Sequence, residues 1–313
     1  MKKLDFFCAG FAKSGTTTLY NILSQHPKIY LSAIKEPVFW NDEAALRKGP
    51  DWYLNRYYRY ASKGQVIGEI NPQVTNGAAN EILLKQILKK DGKIILIMRN
   101  PIDRLYSHFF MDLLWGSFYD QGRGIDLVNY DKMFDQFVEK TFHRFYYRDM
   151  LQIYDVNQFA FGKYSFYIEC YRKLFGNNNV FIILFEEFIQ NIQRNCMELF
   201  DFLGVEQETK LNFNIKSNEG NFLPKNLICM KINDKLYNIA WPFICRNFDV
   251  GASVDRIMDE KLNWNMRSNK VLLRSVKRKD MSKDTRCILQ KIFASEIEKV
   301  EELLGRTLKG IWY

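Results

Sequence analysis

Long apolar runs are missing from this 313-residue sequence. No stretch approaches the roughly 18 uncharged apolar residues that a membrane span needs. Proline is scarce at 7 residues and glycine modest at 17, which excludes collagen-like and linker-dominated chains. The six cysteines (Cys8, Cys170, Cys196, Cys229, Cys245, Cys287) are scattered and include no CxxC pair. Neither a zinc cluster nor a dense disulfide framework is expected from them. They read as reduced, mostly buried thiols of a cytoplasmic protein. The opening MKKLDFFCAGFAKSG only imitates a signal peptide, because Asp5 interrupts its apolar run and Lys13 ends it.

What is abundant is aromatic surface and positive charge. With 25 Phe, 17 Tyr, 6 Trp and 47% hydrophobic residues, the chain has enough apolar area to offset chain entropy, so disorder is excluded as its dominant state. Lys and Arg outnumber Asp and Glu by 45 to 36, a net charge of +9. That surplus favours anionic partners without choosing among nucleotides, acidic glycans, nucleic acid or lipid surfaces.

Strand and helix patterns alternate along the chain. Leu4 to Ala9 reads as a buried strand entering a turn at Gly10, and Thr16 to Ser24 as a helix closed by Pro27. Val66 to Ile70 is a second strand, and Gly77 to Lys90 a helix. KIILIM, Lys93 to Met98, is the clearest buried strand. Pro101 then opens a helix running towards Trp115. Val180 to Phe185 is a further strand, followed by a helix through Leu203 that stops at Gly204. Asp284 to Leu304 is helical. Such alternation predicts a parallel sheet covered on both faces. A single α/β domain over 1–313 is the simplest account, with a core over about 4–225 and a helical portion over about 226–313. Residues 112–163 read as helices and long loops, and residues 209–226 as a polar surface loop.

Chemistry concentrates where strands end. Gly10-Phe11-Ala12-Lys13-Ser14-Gly15-Thr16-Thr17-Thr18 joins the first strand to the first helix. A helix start offers N–H groups without intrahelical acceptors and the positive end of the dipole, and glycine lets backbone approach a ligand. Lys13 adds a full charge and the threonine hydroxyls add donors. The loop is not a Walker A motif, because Lys13 precedes the glycine instead of following it. A second anion site suggests itself at Arg99-Asn100-Pro101-Ile102-Asp103-Arg104-Leu105-Tyr106-Ser107-His108. Arg99 at the strand end offers a bidentate fork for phosphate, and Ser107 lies on the next helix. Two cradles suit a ligand with two separate phosphates. Between them Lys35-Glu36 sets a base beside a cation, as transfer to a hydroxyl requires, although such neighbours are commonly a plain surface pair. His26 reads as structural; His108 is a competing base.

These segments are similar to those of sulfotransferases that use 3′-phosphoadenosine 5′-phosphosulfate (PAPS). AKSGTTTLYNIL resembles their 5′-phosphosulfate loop, which implies that Lys13, Ser14, Gly15 and Thr16 to Thr18 surround the 5′-phosphosulfate and that Lys13 stabilises the departing oxygen. R-x-P-x-x-R-x-x-S, here Arg99, Pro101, Arg104 and Ser107, resembles the 3′-phosphate signature, with Arg99 and Ser107 in contact and Arg104 in support. KEPVFW resembles the KEP-x-FF segment of carbohydrate sulfotransferases, notably the heparan sulfate group and its bacterial relatives. It implies Glu36 as catalytic base and Lys35 as a contact to the sulfuryl or acceptor group. The histidine that several relatives carry two positions after the glutamate is Val38 here. Gly68-Glu69-Ile70-Asn71-Pro72 resembles the family's GE-x-SP segment. Lys216 and Lys225 lie in a segment similar to the loop that closes over the nucleotide, and are further 3′-phosphate candidates.

The resemblance implies a P-loop-like three-layer α/β/α fold with a central parallel sheet and additional C-terminal helices. The implied co-substrate is PAPS, with no metal. The implied acceptor is a hydroxyl or amine of a glycan, with a glycolipid or small hydroxylated metabolite as the alternative and a P-loop kinase as the competing enzyme class. Nucleic acid is not an expected partner; peripheral membrane contact is left open. The aromatic clusters Trp52 to Tyr60 and Phe142 to Tyr147 read as core packing before sugar platforms. The basic stretch Lys270 to Lys283 reads as a solvated helix face before a dock for an acidic polymer.

Overall fold

A computed structural model describes residues 2–37, 39–40, 42–76, 80–115, 126–146, 158–215, 222–233, 235 and 271–313. In chain order the elements are β1 (Leu4–Gly10), α1 (Thr16–Leu23), β2 (Ile29–Leu31), α2 (Glu43–Leu46), α3 (Gly49–Tyr58), β3 (Val66–Ile70), a 3₁₀ turn (Pro72–Asn76), α4 (Asn80–Ile87) and β4 (Leu88–Met98). There follow α5 (Pro101–Trp115), α6 (Tyr130–Tyr146), α7 (Tyr164–Phe175), β5 (Val180–Leu184), α8 (Phe185–Gln190), α9 (Ile192–Leu203), β6 (Phe222–Pro224), β7 (Leu273–Ser275) and α10 (Lys283–Leu304). By contacts the chain divides into two compact units. One holds residues through Asn100 together with Tyr164–Asn218 and Asn247–Met258; the other holds Pro101–Lys163, Glu219–Arg246 and Asp259–Tyr313.

The first unit is built on a five-stranded sheet in the order β2-β3-β1-β4-β5, parallel at every pairing. Strand residues alternate in direction, so each strand serves two cores. Phe6, Cys8, Ile95, Ile97 and Ile183 pack with Leu19, Ile22 and Leu23 of α1 and Leu199, Phe200 and Leu203 of α9. On the opposite parity Phe7, Ile94, Leu96 and Met98 are fully buried, and α4 and α7 pack against β4. This is the expected three-layer arrangement around a parallel sheet. One close approach fixes a residue: Gly68 faces Phe6 across the β1–β3 ladder, and a Cβ there would lie 2.0 Å from the Phe6 ring.

Three expectations need correction in this unit. Leu88 to Lys90 continue into β4 instead of ending a helix. Leu88 pairs with Leu4, and the register then jumps to Phe6 opposite Lys93, so a bulge absorbs the intervening Lys89–Gly92 and the ladder overrides local helical pattern. The helix through Leu203 is two helices. Asn191 (φ −146°) breaks the run and its side chain accepts from Arg194 N, starting α9. Phe185, expected to end a strand, opens α8. Of the described thiols, Cys8 and Cys196 are buried, Cys170 and Cys229 partly so and Cys287 exposed; all five are free.

The second unit is helical with a small antiparallel pair, β6 against β7. Its core explains the aromatic wealth of the middle sequence. Phe109 of α5 meets Phe134 of α6 at 4.9 Å between ring centroids, and Phe159 stacks on Phe293 of α10 at 6.0 Å. Ser282 caps α10 by accepting from Thr285 N, and the Arg286 guanidinium pairs with Asp103 at 2.7 Å. The basic stretch before α10 is not a helix face. Leu273–Ser275 are strand and residues 276–282 irregular, because Arg278 lies over the Phe110 ring at 4.5 Å and Tyr106 Oη donates to the Lys279 carbonyl at 2.8 Å. Residues 209–226 are likewise not loop throughout, since Phe222–Pro224 form β6. The side chains of Phe142–Tyr146 and the whole of Tyr147 lie outside the described residues.

Gly68→Ala is expected to lower stability by about 1–3 kcal/mol, because the Phe6 ring must leave its place over β3. Urea unfolding checks this, with a reduced midpoint at unchanged slope as the expected outcome.

Candidate active site

Because all five strands are parallel, their carboxyl ends share one edge. The chain leaves β1 towards β2 and leaves β4 towards β5, so β1 and β4 are neighbours whose connections depart in opposite directions. Open α/β sheets hold ligands at such a point. The loop of residues 11–15 and Arg99 both lie there.

Two backbone contacts fix the exit of β1. Phe11 N donates to the Ile97 carbonyl at 2.7 Å, and Asn71 N donates to the Cys8 carbonyl at 3.0 Å. Gly15 then precedes α1 with φ +91° and caps it with no side-chain bond. A Cβ on Gly15 would stand 2.9 Å from the Phe185 ring. The same ring carries the Arg99 guanidinium at 4.8 Å, and Arg99 Nη1 donates to the Lys13 carbonyl at 3.4 Å. Tyr164 Oη in turn donates to the Arg99 carbonyl at 2.7 Å, and its ring packs on Phe11 at 4.6 Å. The two anion motifs of the sequence therefore meet through Phe185 and Tyr164. Ser14 is fully buried, and its Oγ lacks a hydrogen-bond partner. A buried hydroxyl without a partner costs on the order of 1–3 kcal/mol, which an acceptor atom delivered by a ligand would relieve.

The segment after β2 brings Lys35 and Glu36 to the same edge. Their side chains form an ion pair and are partly buried. Lys35 is close enough to act electrostatically on the Cys8 thiol, which desolvation nevertheless pushes up to about 12. A thiol so held is protonated and no nucleophile.

Among the described residues, left-handed backbone on a residue other than glycine occurs at Lys13 (φ 70°) and Glu36 (φ 57°). Each such residue costs roughly 1–3 kcal/mol and persists where the surroundings impose it. Those are the two side chains singled out for charge stabilisation and proton abstraction.

Ser107, Arg104 and His108 lie on α5 of the second unit. There Arg104 donates to His108 Nδ1 at 3.2 Å and to the Gln158 carbonyl, Gln158 Nε2 donates to Asp112, and His108 Nε2 faces Asp112 at 3.8 Å. Arginine can only donate, so Nδ1 accepts and Nε2 carries the proton. All four side chains are buried, which suits support of the helix. Lys225 is exposed beside β6, donating its N–H to the Leu272 carbonyl, whereas Lys216 and Val38 lie outside the described residues. His26 is structural as expected: Lys28 N donates to its Nδ1, and its Nε2 meets the Glu206 carbonyl at 2.9 Å. Of the Trp52 to Tyr60 cluster, Tyr53, Tyr57 and Tyr58 are buried core.

Sequence patterns did not point to Phe185 or Tyr164, since a ring that braces a loop from a distant helix leaves no local spacing. Glu69 was visible only as part of a segment. It is 2% exposed, and desolvation raises its pKa to about 8 against the bonds from Asn71 and Trp40 that lower it.

The comparisons agree with this geometry. A family model described as a sulfotransferase domain matches residues 3–221. The chain is 33% identical over 113 residues to a membrane-associated sulfotransferase, kil1, of Dictyostelium discoideum, covering 36% of this chain and 23% of that one. It is 22% identical over 249 aligned positions to mouse carbohydrate sulfotransferase 15, covering 64% of this chain and 43% of that protein. The matched stretches thus span less than half the length of either relative. A solved sulfotransferase from Alicyclobacillus acidocaldarius shares the fold, with a TM-score of 0.61 at 20% identity and 99% coverage of both chains.

At the left-handed backbone of Glu36 glycine is expected to be tolerated better than alanine. Glu36→Gly is expected to exceed Glu36→Ala in stability by about 1 kcal/mol, whereas at an ordinary position alanine leads by roughly 0.5–1 kcal/mol. Paired thermal unfolding of the two variants reads the sign.

Proposed function

The chain belongs to the sulfotransferase family, and from that premise we propose that it transfers the sulfuryl group of PAPS to a hydroxyl, or less commonly an amine, of a glycan. The observation that carries the reading is the meeting of Lys13, Gly15 and Arg99 at the β1–β4 switch point, with a buried, unpartnered Ser14 hydroxyl in the same loop.

These residues fit a bisphosphorylated nucleotide. Gly15 with the start of α1, the Ser14 hydroxyl, Thr16 to Thr18 and the Lys13 ammonium would hold the 5′-phosphosulfate. Arg99, oriented by Phe185 and Tyr164, would take the 3′-phosphate. The bound donor supplies a sulfuryl group on a phosphate leaving group. Lys13 places its charge where negative charge grows on the departing oxygen. Glu36 takes the acceptor's proton as its oxygen attacks sulfur in line, and Lys35, paired with Glu36, lies where it neutralises the sulfuryl or acceptor oxygens. A glycan acceptor is supported by the likeness of KEPVFW to carbohydrate sulfotransferases and by the relative of that name. A cytoplasmic setting is proposed from the reduced thiols.

Glu36→Gln is expected to keep nucleotide affinity while losing about 10²–10⁴-fold in turnover; near-normal turnover would reject the assigned base. Arg99→Ala should weaken binding of adenosine 3′,5′-bisphosphate but leave adenosine 5′-phosphate little changed, as read by calorimetry of both. Equal losses for the two nucleotides would count against a 3′ site. A thermal-shift panel of the bisphosphate, ATP with Mg²⁺ and a polyanion separates this reading from a kinase or a general anion binder.

A further inference from the structure

Glu69 ends β3 at the edge that carries Glu36, yet nothing in the reaction above uses it. Its carboxyl has three partners. Oε1 accepts from Asn71 Nδ2 at 2.9 Å and from Trp40 Nε1 at 3.3 Å, and Oε2 meets the Tyr58 hydroxyl at 2.5 Å. Asn71 Nδ2 also reaches the Pro37 carbonyl at 3.5 Å. Pro37 and Trp40 belong to the segment that immediately follows Glu36, and the Trp40 ring is clamped by Phe7 at 5.3 Å and Phe39 at 5.5 Å. One carboxyl thus joins β3, α3 and the strained turn that presents Glu36.

Among the described residues, no cation is paired with this group. Its partners are the neutral Trp40, Asn71 and Tyr58. Among the described residues, the titratable groups packed around it are Tyr58 and Tyr53 of α3, whose hydroxyls lie 3.5 Å apart, and Tyr30 of β2, whose ring packs on Tyr58 at 6.3 Å; the Cys8 thiol of β1, level with Ile70, lies on the other face of the sheet. Lys35 on the neighbouring segment is paired with Glu36, and Asp5 with its partner Lys89 lies towards the amino end of the sheet. Burial likewise raises the Tyr58 pKa, so its hydroxyl keeps its proton. An uncompensated buried carboxylate is strongly disfavoured, whereas the neutral acid donates from Oε2 to Tyr58 and accepts twice at Oε1.

We infer that Glu69 in its protonated form is the positioning residue for Glu36, holding Pro37 and Trp40 so that the turn stays in its strained geometry. Loss of the proton puts a charge into that joint and loosens the base without disturbing the loop of residues 11–15. The inference rests on Glu36 being the base. Between pH 4.5 and about 8 the folded chain keeps a proton at Glu69 that the unfolded chain has released. This group therefore makes the fold less stable as pH rises through that window.

The test follows the Trp40 indole ¹H–¹⁵N resonance, assigned with W40F, from pH 6 to 9.5 in wild type and E69Q, alongside calorimetry of adenosine 3′,5′-bisphosphate and turnover of PAPS with an oligosaccharide panel. The wild-type indole is expected to titrate with a midpoint near 8, and turnover to fall through the same midpoint. E69Q, which copies the neutral acid, should show a flat indole, wild-type turnover at pH 7 and no alkaline fall. Nucleotide affinity should stay within about twofold throughout, because Glu69 acts on the base and not on the phosphate loop. A flat wild-type indole, or an E69Q turnover profile that falls as wild type does, overturns the inference. Should E69Q fail to fold, W40F is read instead: a kcat lower by about tenfold at unchanged nucleotide KM, as the loss of one buried hydrogen bond implies, supports it, and wild-type kcat overturns it. Failure of the bisphosphate to bind wild type would strike the proposed function while leaving the indole titration readable.

Discussion

The ring of Phe185 is the point on which the anion edge of this protein turns. It closes against Gly15 so that any Cβ there would force the ring to shift, and it supports the Arg99 guanidinium on its face. Its position follows from β5, which delivers it to the carboxyl end of the sheet as the first residue of α8. Beside the ring the backbone is left-handed at Gly15 and at Lys13. The helix start, the Lys13 backbone and the Arg99 guanidinium lie together at one edge. Such preorganisation is what electrostatic catalysis needs, since groups fixed in advance need no rearrangement as charge develops.

A second joint lies at the carboxyl end of β3. Glu69 knits Trp40, Asn71 and Tyr58 into a buried polar cluster below the turn of Glu36. The two joints meet at β1, whose Cys8 carbonyl accepts from Asn71 N and whose exit, Phe11, donates to Ile97. Strain at Lys13 and Glu36 is therefore supported from opposite neighbours of one central strand. Its cost, on the order of 1–3 kcal/mol per residue, is small beside the apolar burial on both faces of that strand.

The helical unit uses its aromatic residues differently. Phe109, Phe134, Phe159 and Phe293 are packing, and Arg104, His108, Asp112 and Gln158 form a buried hydrogen-bonded group. His108 keeps both ring nitrogens turned towards partners within that group.

Much was legible in the amino-acid order alone. Parallel strands announced themselves as short, continuous apolar runs such as KIILIM, and the loop of residues 10–18 by the placement of Lys13 and Gly15 before a helical pattern. Arg99 was visible because a strand end and Pro101 bracket it. These are local signals, carried by neighbours within a few positions. Tertiary structure decided the rest. Only the ladder with β1 could turn Leu88 to Lys90 from helix to strand, and only crowding by residues distant in sequence could set the backbone of Gly15 or raise the pKa of Glu69. Desolvation, ring contacts and imposed φ values depend on what surrounds a residue in space, and a linear pattern holds no record of those surroundings.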